Sequence, residues 1–520
     1  MSEPQLVEAN PAIRDERWIW TLLTVVVAGV GLALRIWLLR SPAGRLDSDE
    51  AVVALMADSM LAGNKPTLFF AGQFYGGMYE PILTAVAMSI HRSVFAIKAV
   101  PLICSAIAAV LTARIARRIA APAQARFAGA VLFAWPGTTW LSTKERGFYW
   151  VMLLLVLVAL LSAVRLARIE PHRMATWCVY GAAVGSAWYT SPQSAYAIVP
   201  LSLWLAFSQR PRAQELLAAT VGFALGAAPW LYGVSSFGTK VLHQESATTS
   251  YASRLSNVTV QLLPRVLGTR RVFADGWTFG VVGLSISLVT AAIVVAVSVR
   301  TLRARSRNTD DGTRAGSITV LLCVLAGSFP FLAAIPSLAV FTSEPRYGLL
   351  FVPTVVLGLA MVATNARRGL AIAVCIMAIA TMSTIDLERI ARQTKQVHLD
   401  LVPSDTRALE QSLHDANITK VYADYWVAYP LTFRAPYGLV ASPLDLPRLG
   451  SVQQTVDAAR ATTWIVYSDS SRDRALGPEL RRRNISTTRS TIGPFAVYTL
   501  SSYIDPLTLD RFWVQHPPGR

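Results

Sequence analysis

Charge is scarce in this chain and mostly of one sign. Asp, Glu, Lys and Arg make up 15% of its 520 residues, against roughly 25% in an ordinary soluble domain. The imbalance, 48 Lys and Arg over 31 Asp and Glu, leaves a formal +17. Such an excess suggests nucleic acid in a soluble protein, but no aromatics interleave with a basic patch here. The charge is instead explained by basic loops beside anionic lipid headgroups, so nucleic acid is excluded as a partner. Cysteine is sparse as well. Cys104, Cys178, Cys323 and Cys375 lie far apart within apolar stretches, and no CxxC or Cys/His spacing suggests a metal. Also missing are a GxxxxGK[ST] run, a credible dinucleotide fingerprint and a cytosolic loop long enough for a nucleotide-binding domain, which argues against an ATP or nucleotide-sugar site.

What is present is hydrophobic residue, 53% of the chain, in blocks of about 20, the length a helix needs to cross a bilayer. The expected fold is an all-α polytopic membrane protein with about eleven transmembrane helices, followed by a small C-terminal α/β domain. The blocks predict spans near 18–39, 96–117, 126–142, 147–166, 174–190, 194–208, 213–233, 277–299, 316–339, 347–365 and 369–386. The first lacks a small-residue cleavage site and reads as a retained span. Alternate loops carry Arg114, Arg117, Arg118 and Arg126, then Arg165, Arg168 and Arg173, then Arg210 and Arg212, then Arg300 to Arg314, then Arg367 and Arg368. Basic loops stay in the cytoplasm, which predicts a multi-pass protein of the cytoplasmic (plasma) membrane with a cytoplasmic N-terminus. Residues 80–92 are apolar but too short to span, and predict a helix in the outer interface.

The expected domains are a membrane module over 1–386, whose first outer loop is 40–95, and an extracytoplasmic α/β domain over 387–520. In the latter the pattern predicts a helix at 404–416 opened by Ser404, and strands at 419–425, 463–467 and 495–500.

Three polar clusters fall on the predicted outer face. Asp47, Asp49 and Glu50 stand just beyond the first span at the start of a helix. They are either a cap and first turn or a base or cation site. Glu80 precedes Pro81 and is again a capping acid or a site acid. Lys144, Glu145 and Arg146 crowd a very short turn, which is either an interfacial hairpin or the wall of a polar cavity. Arg346, between Glu344 and Tyr347, either holds a phosphate with its bidentate fork or closes an internal salt bridge.

This arrangement resembles the GT-C superfamily of membrane glycosyltransferases, in the style of the protein O-mannosyltransferases and the bacterial lipid A aminoarabinose transferases. The resemblance rests on Asp49-Glu50 in the first outer loop, the Ala-rich helix from Ala51 to the Gly63-Asn64 turn, Tyr79-Glu80-Pro81, the late Arg346-Tyr347, and the run from Val421 to Trp426. It implies transfer of a sugar from a polyprenyl-phosphate-linked donor to an extracytoplasmic acceptor, a cell-envelope glycan, lipid or protein. Asp49 would be the general base. Glu50 and Glu80 would orient hydroxyls, and Asp47 would assist or help hold a divalent cation. Arg346 would stabilise the phosphate leaving group, with Lys144 sharing the task and Glu145 holding Lys144. The rival readings are a transporter or flippase of a lipid-linked glycan, which should carry polar residues at mid-span or broken helices, and a non-catalytic scaffold presenting the tail domain.

Overall fold

The computed structural model describes residues 16–168, 172–242, 249–289, 292, 314–337, 342–393, 404–435 and 437–516. Helices α1 (Arg17–Arg40), α2 (Ser48–Leu61), α3 (Tyr79–Ile90), α4 (Val94–Ala116), α5 (Pro122–Ala134), α6 (Pro136–Leu141) and α7 (Tyr149–Ala167) come first. Then follow α8 (Arg173–Thr190), α9 (Ala195–Gln209), α10 (Ala213–Gly226), α11 (Ala228–Phe237), α12 (Arg314–Ala333), α13 (Val352–Val362) and α14 (Ala366–Gln393). The tail alternates: α15 (Arg407–Asp415), β1 (Lys420–Ala423), α16 (Tyr425–Arg434), β2 (Val440–Pro443), α17 (Gly450–Ala458), β3 (Thr463–Tyr467), α18 (Ser471–Arg482), β4 (Thr487–Ile492) and β5 (Phe495–Leu500).

Among the described residues five helices are long and apolar enough to cross a bilayer: α1, α4, α7, Pro345–Val362 and α14; α10 with the bent segment after it would make six. The chain is a multi-pass membrane protein. Where the predicted spans differ, prolines and composition explain it. Pro136 divides 126–142 into α5 and the six-residue α6, because proline removes a helix N–H and clashes with the preceding turn. At 213–233 the axis turns by 61° between α10 and α11, where Pro229 sits in the first turn of α11. Helix α9 has only 15 residues, and α8 carries polar and small residues along its 18. Much of the span predicted at 277–299, and the basic loop from Arg300 to Arg307, lie outside the described residues.

The chain divides into two compact units, Met1–Ile36 with Pro101–Ser142 and Tyr149–Asp386, and Trp37–Val100 with Thr143–Phe148 and Leu387–Arg520. In the first unit α8 and α10 pack backbone to backbone. A methyl on Gly181 would lie 1.9 Å from the Ala219 carbonyl oxygen, one on Gly185 2.3 Å from that of Phe223, one on Gly222 2.1 Å from that of Cys178, and one on Gly226 2.2 Å from that of Ala182. Both helices therefore carry a Gly-x-x-x-Gly face, the small-residue pattern that permits close approach in lipid, where van der Waals packing rather than the hydrophobic effect joins helices. Arg173 and Glu215 pair across the ends of the same two helices. Arg35, inside α1, is fully buried. Its Nε donates to Ser142 Oγ at 2.7 Å, its Nη1 donates to the Gly31 carbonyl at 2.9 Å, and it lies 3.9 Å from the Phe133 ring centroid.

The second unit is built on a five-stranded sheet of order β2-β1-β3-β5-β4, parallel from β2 to β3 and antiparallel across β5 and β4. Its α/β character, and strands β3 and β5, are as the sequence predicts. Helix α15 begins at Arg407 rather than near Ser404. Asp405 accepts the Arg407 N–H at 3.2 Å, a local turn that competes with helix before that point. Strand β1 stops at Ala423 because Asp424 turns inward, fully buried, where it accepts the Tyr467 N–H at 3.0 Å and pairs with Arg472. Strands β2 and β4 carry no apolar run to announce them.

Valine at Gly222 should force α8 and α10 apart. Thermal unfolding of Gly222→Val should show a loss of about 1–3 kcal/mol or more. Gly327→Ala, at a glycine with nothing within 4 Å of its would-be methyl, should leave stability near wild type. Equal melting of Gly222→Val and wild type would contradict the close packing.

Candidate functional site

Helix α2 starts where Asp47 leaves helical conformation and caps it. The Asp47 carboxylate accepts the Glu50 N–H at 3.0 Å, and the Glu50 carboxylate accepts the Asp47 N–H at 3.2 Å, a reciprocal capping box. Two acids so locked would ordinarily face water. Here both are fully buried, and three cations follow them in. Lys98 Nζ stands 2.6 Å from Glu50 Oε1. Lys144 Nζ lies 3.2 Å from Asp47 Oδ2 and 3.4 Å from Glu50 Oε2. Arg146 Nη1 donates to both Asp47 oxygens at 2.9 Å. The lysines also donate to backbone, Lys98 to the Thr143 carbonyl at 3.1 Å and Lys144 to that of Arg45 at 3.0 Å.

The loop supplying Lys144 and Arg146 makes its turn at Gly147, whose φ is +88° and whose added methyl would stand 2.4 Å from the Phe70 ring. Only glycine fits such a place. The Glu145 N–H donates to Glu50 Oε1 at 3.1 Å, while Glu145 Oε1 accepts the Gly147 N–H at 2.8 Å. Burial alone would raise the Asp47 carboxyl, yet Arg146, then Lys144, the Glu50 N–H and Lys98, hold it well below the usual carboxylate range. Glu145 goes the other way. Burial first, then the charge of Glu80 and a hydrogen bond with it, push Glu145 well above that range. Two adjacent buried carboxyls share a site that does not accept two negative charges.

Asp49 differs from its neighbours. Its side chain is 24% exposed where those of Asp47 and Glu50 are at 0%. Oδ1 accepts the Tyr425 hydroxyl at 2.8 Å, and Oδ2 lies 3.8 Å from Arg146 Nη1. Tyr425 opens α16 directly beyond the carboxyl end of β1, and its carbonyl accepts from Ser48 Oγ. Burial and then Asp49 raise its phenol well above the ordinary value, so it keeps its proton and donates. The phenol of Tyr429 accepts the Arg448 N–H at 2.6 Å, and the Arg448 guanidinium donates to Gln73 at 3.2 Å.

The predicted site residues thus fall in both units. Asp47, Asp49, Glu50, Glu80, Lys144 and Glu145 come together in the second. Arg346 and Tyr347 belong to the first. There Arg346 Nε meets Glu344 Oε2 at 2.5 Å, and its guanidinium lies 5.1 Å from the Tyr347 ring centroid and 5.5 Å from that of Tyr149. Sequence reasoning missed Lys98, a cation close to the start of the predicted span 96–117 and far from the arginines at its other end, and that was the available signal. It also assigned no role to Tyr425 and none of its own to Arg146.

No three His, Cys, Asp or Glu among the described residues are grouped to hold a metal ion. Asp47 and Glu50 already have an ammonium or guanidinium on each carboxylate, so their donor atoms do not suit a divalent cation.

The raised Glu145 carboxyl has a consequence for stability. It folds holding a proton that the unfolded chain releases near pH 4.3. Its contribution is full below that value and is lost as pH rises through its elevated folded value. Asp47 acts oppositely, contributing above about pH 3.9 and losing that contribution as the medium acidifies. Glu145→Gln should therefore flatten the fall in melting temperature as pH rises above about 4.3. An unchanged slope would mean that Glu145 is not protonated in the fold.

No family model and no curated protein sequence matches the chain. Among solved structures it is similar to ArnT from Cupriavidus metallidurans in the apo state, at 13% identity and a TM-score of 0.58, covering 92% of this chain and 97% of that one. The same protein bound to undecaprenyl phosphate aligns at 14% identity and a TM-score of 0.55, covering 92% and 98%. At such identity the likeness is one of fold: over nearly its whole length this chain folds as ArnT does.

Proposed function

We propose that the protein is a membrane glycosyltransferase that moves a sugar from a polyprenyl-phosphate donor to a hydroxyl of an extracytoplasmic acceptor. The observation that carries this reading is the division of labour among three adjacent acids. Asp47 and Glu50 are consumed by the cap and by buried cations, and Asp49 alone keeps a carboxylate partly open to solvent. The fold likeness to ArnT, solved with undecaprenyl phosphate, supports the donor class.

In the proposed step the acceptor oxygen attacks the anomeric carbon. The new C–O bond forms as the bond from that carbon to the phosphate oxygen breaks, and the electron pair leaves with the polyprenyl phosphate. Asp49 takes the acceptor proton, a task for a carboxylate within hydrogen-bond reach. Tyr425 orients it by donating to Oδ1. Glu50, Asp47, Lys144 and Glu145 act as the frame that fixes the start of α2, with Glu80 keeping Glu145 protonated. No step requires a metal. Arg346 is proposed to bind the donor phosphate, supported by a guanidinium beside two aromatic rings and by the fork geometry that suits phosphate.

Transfer from a labelled polyprenyl-phosphate sugar tests this. Asp49→Asn keeps size but accepts no proton and should cost about 10²–10⁴-fold in rate with donor binding intact. Arg346→Lys keeps charge but loses the fork, and should weaken donor binding. Full transfer by Asp49→Asn would end the base assignment; if Arg346→Lys binds donor normally, Arg346 serves only its pair with Glu344.

The second unit is proposed to lie outside the cytoplasmic membrane, supported by the alternation of basic loops. Alkaline phosphatase fused after residue 400 should be active and fused near residue 308 inactive. The reverse pattern would put the acids in the wrong compartment.

A further inference from the structure

Arg448 is half-buried in the second unit, on the loop at 444–449 that follows β2. The backbone of this loop is fixed from several sides. The Leu444 N–H donates to the Ala423 carbonyl at 2.9 Å, and Asp445 pairs with Arg472 at 2.8 Å. The Tyr429 phenol accepts the N–H of Arg448 at 2.6 Å and that of Leu449 at 3.2 Å. From the first outer loop Gly72 comes so close that an added methyl would stand 3.0 Å from the Arg448 Cα. Leu446, between these fixed points, has a φ of +49° and is 76% exposed. Leucine takes such a backbone only where its surroundings impose it, and strain of this kind gathers at functional sites.

The loop presents one guanidinium with an open edge. Its Nη1 donates to Gln73 Oε1 at 3.2 Å. Among the described residues Nε and Nη2 donate to no protein group, and neither is sealed in the interior. Those two nitrogens form the edge that meets both oxygens of a carboxylate or phosphate. The loop is also tied to the proposed base. Tyr429 and Tyr425 stand one turn apart on α16 with ring centroids 5.7 Å apart, and Tyr425 donates to Asp49 at 2.8 Å. Burial alone would lower the Arg448 guanidinium, yet Tyr425 and Asp49, then Tyr75 and Tyr429, hold it above its ordinary value.

We propose that Arg448 is a specificity-determining residue that selects an acidic acceptor, binding a carboxylate or phosphate of the molecule whose hydroxyl Asp49 deprotonates. This rests on the assignment of Asp49 as the base, which brings the acceptor to the second unit. The donor phosphate has its own proposed partner in Arg346, so the oxyanion met here is the acceptor's. Gln73 takes one donor of the guanidinium and thereby sets the direction of the other edge. The pairing of Asp445 with Arg472 and the Tyr429 phenol keep the loop from following the side chain. An acceptor without the acidic group leaves a half-buried fork unmatched, which is how such a site discriminates.

The full chain in nanodiscs would be titrated calorimetrically, without donor, with methyl glucoside, methyl glucuronide and methyl glucoside phosphate. Wild type should bind at least one acidic probe about 10–100-fold more tightly than the neutral one, and the better of the two identifies the oxyanion. Arg448→Gln should abolish that preference while leaving methyl glucoside binding near wild type. If the Gln variant does not fold, Arg448→Lys keeps the charge without the fork and should retain only part of the preference. Arg483→Gln, at the exposed end of α18, should change nothing. Asp49→Asn should still prefer the acidic probe although it fails in transfer, so failure of the base assignment and failure of this proposal are told apart. Equal binding of acidic and neutral probes by wild type would overturn the proposal. So would a preference unchanged in Arg448→Gln and Arg448→Lys, and a lower melting temperature in those variants would then assign Arg448 to holding the loop alone.

Discussion

The second unit depends on hiding two carboxylates. Asp47 and Glu50 reach zero exposure because they cap each other's backbone and because Lys98, Lys144 and Arg146 accompany them. Removing ions from water costs several kcal/mol each, so a buried network of this kind is weak evidence for net stability. Its strength lies in the asymmetry: losing any one member strands the others. The network therefore fixes one arrangement of three separate pieces of chain, the start of α2, the start of α4 and the loop through Gly147. The position of Asp49, two residues after Asp47 and one before Glu50, follows from that lock.

This explains how a capping reading of Asp47 and Glu50 is met while the proposed functional reading attaches to Asp49. Acids at a helix start suit the dipole, and Asp47 and Glu50 do form a capping box. A cap alone does not call for burial, however, nor for three cations. Asp49 points elsewhere, to Tyr425 and solvent. One short acidic run thus holds two kinds of carboxylate, and only their burial separates them.

The fold was legible in the sequence because membrane helices announce themselves by composition over about 20 residues. Strands β3 and β5 were legible for a related reason, as Thr463–Tyr467 and Phe495–Leu500 are compact apolar runs. Helix breaks at Pro136 and beside Pro229 were not, since a window that averages hydropathy passes over one residue that lacks an N–H. The edge strand β4, largely exposed with the sequence Thr-Thr-Arg-Ser-Thr-Ile, has no apolar face to read. In the site, the acids were legible by adjacency. Lys98 was hidden by its apolar surroundings, and its partner Glu50 lies 48 residues earlier. Tyr425 is 376 residues from Asp49. Pairings at such separation are set by the fold and leave no local periodicity.

That last pairing gives the tail part of the second unit a physical role. Arg472 binds Asp424 and, at 2.8 Å, Asp445, while its Nε donates to the His516 carbonyl at 2.9 Å and its guanidinium lies 4.8 Å from the Trp513 ring centroid. All of this sits behind the carboxyl end of β1, the end of a parallel strand where open α/β sheets place their functional groups. Asp424 is thereby fixed, and the next residue, Tyr425, inherits that rigidity as it enters α16. A phenol that keeps its proton, held on a strand end and aimed at Asp49, restricts the carboxylate to one orientation without neutralising it. Loss of the hydroxyl would remove the donor on Asp49 Oδ1 while leaving the capping box and its cations in place, so orientation and burial of the acidic run are under separate control: the tail supplies the first, and the loop through Gly147 with Lys98 supplies the second.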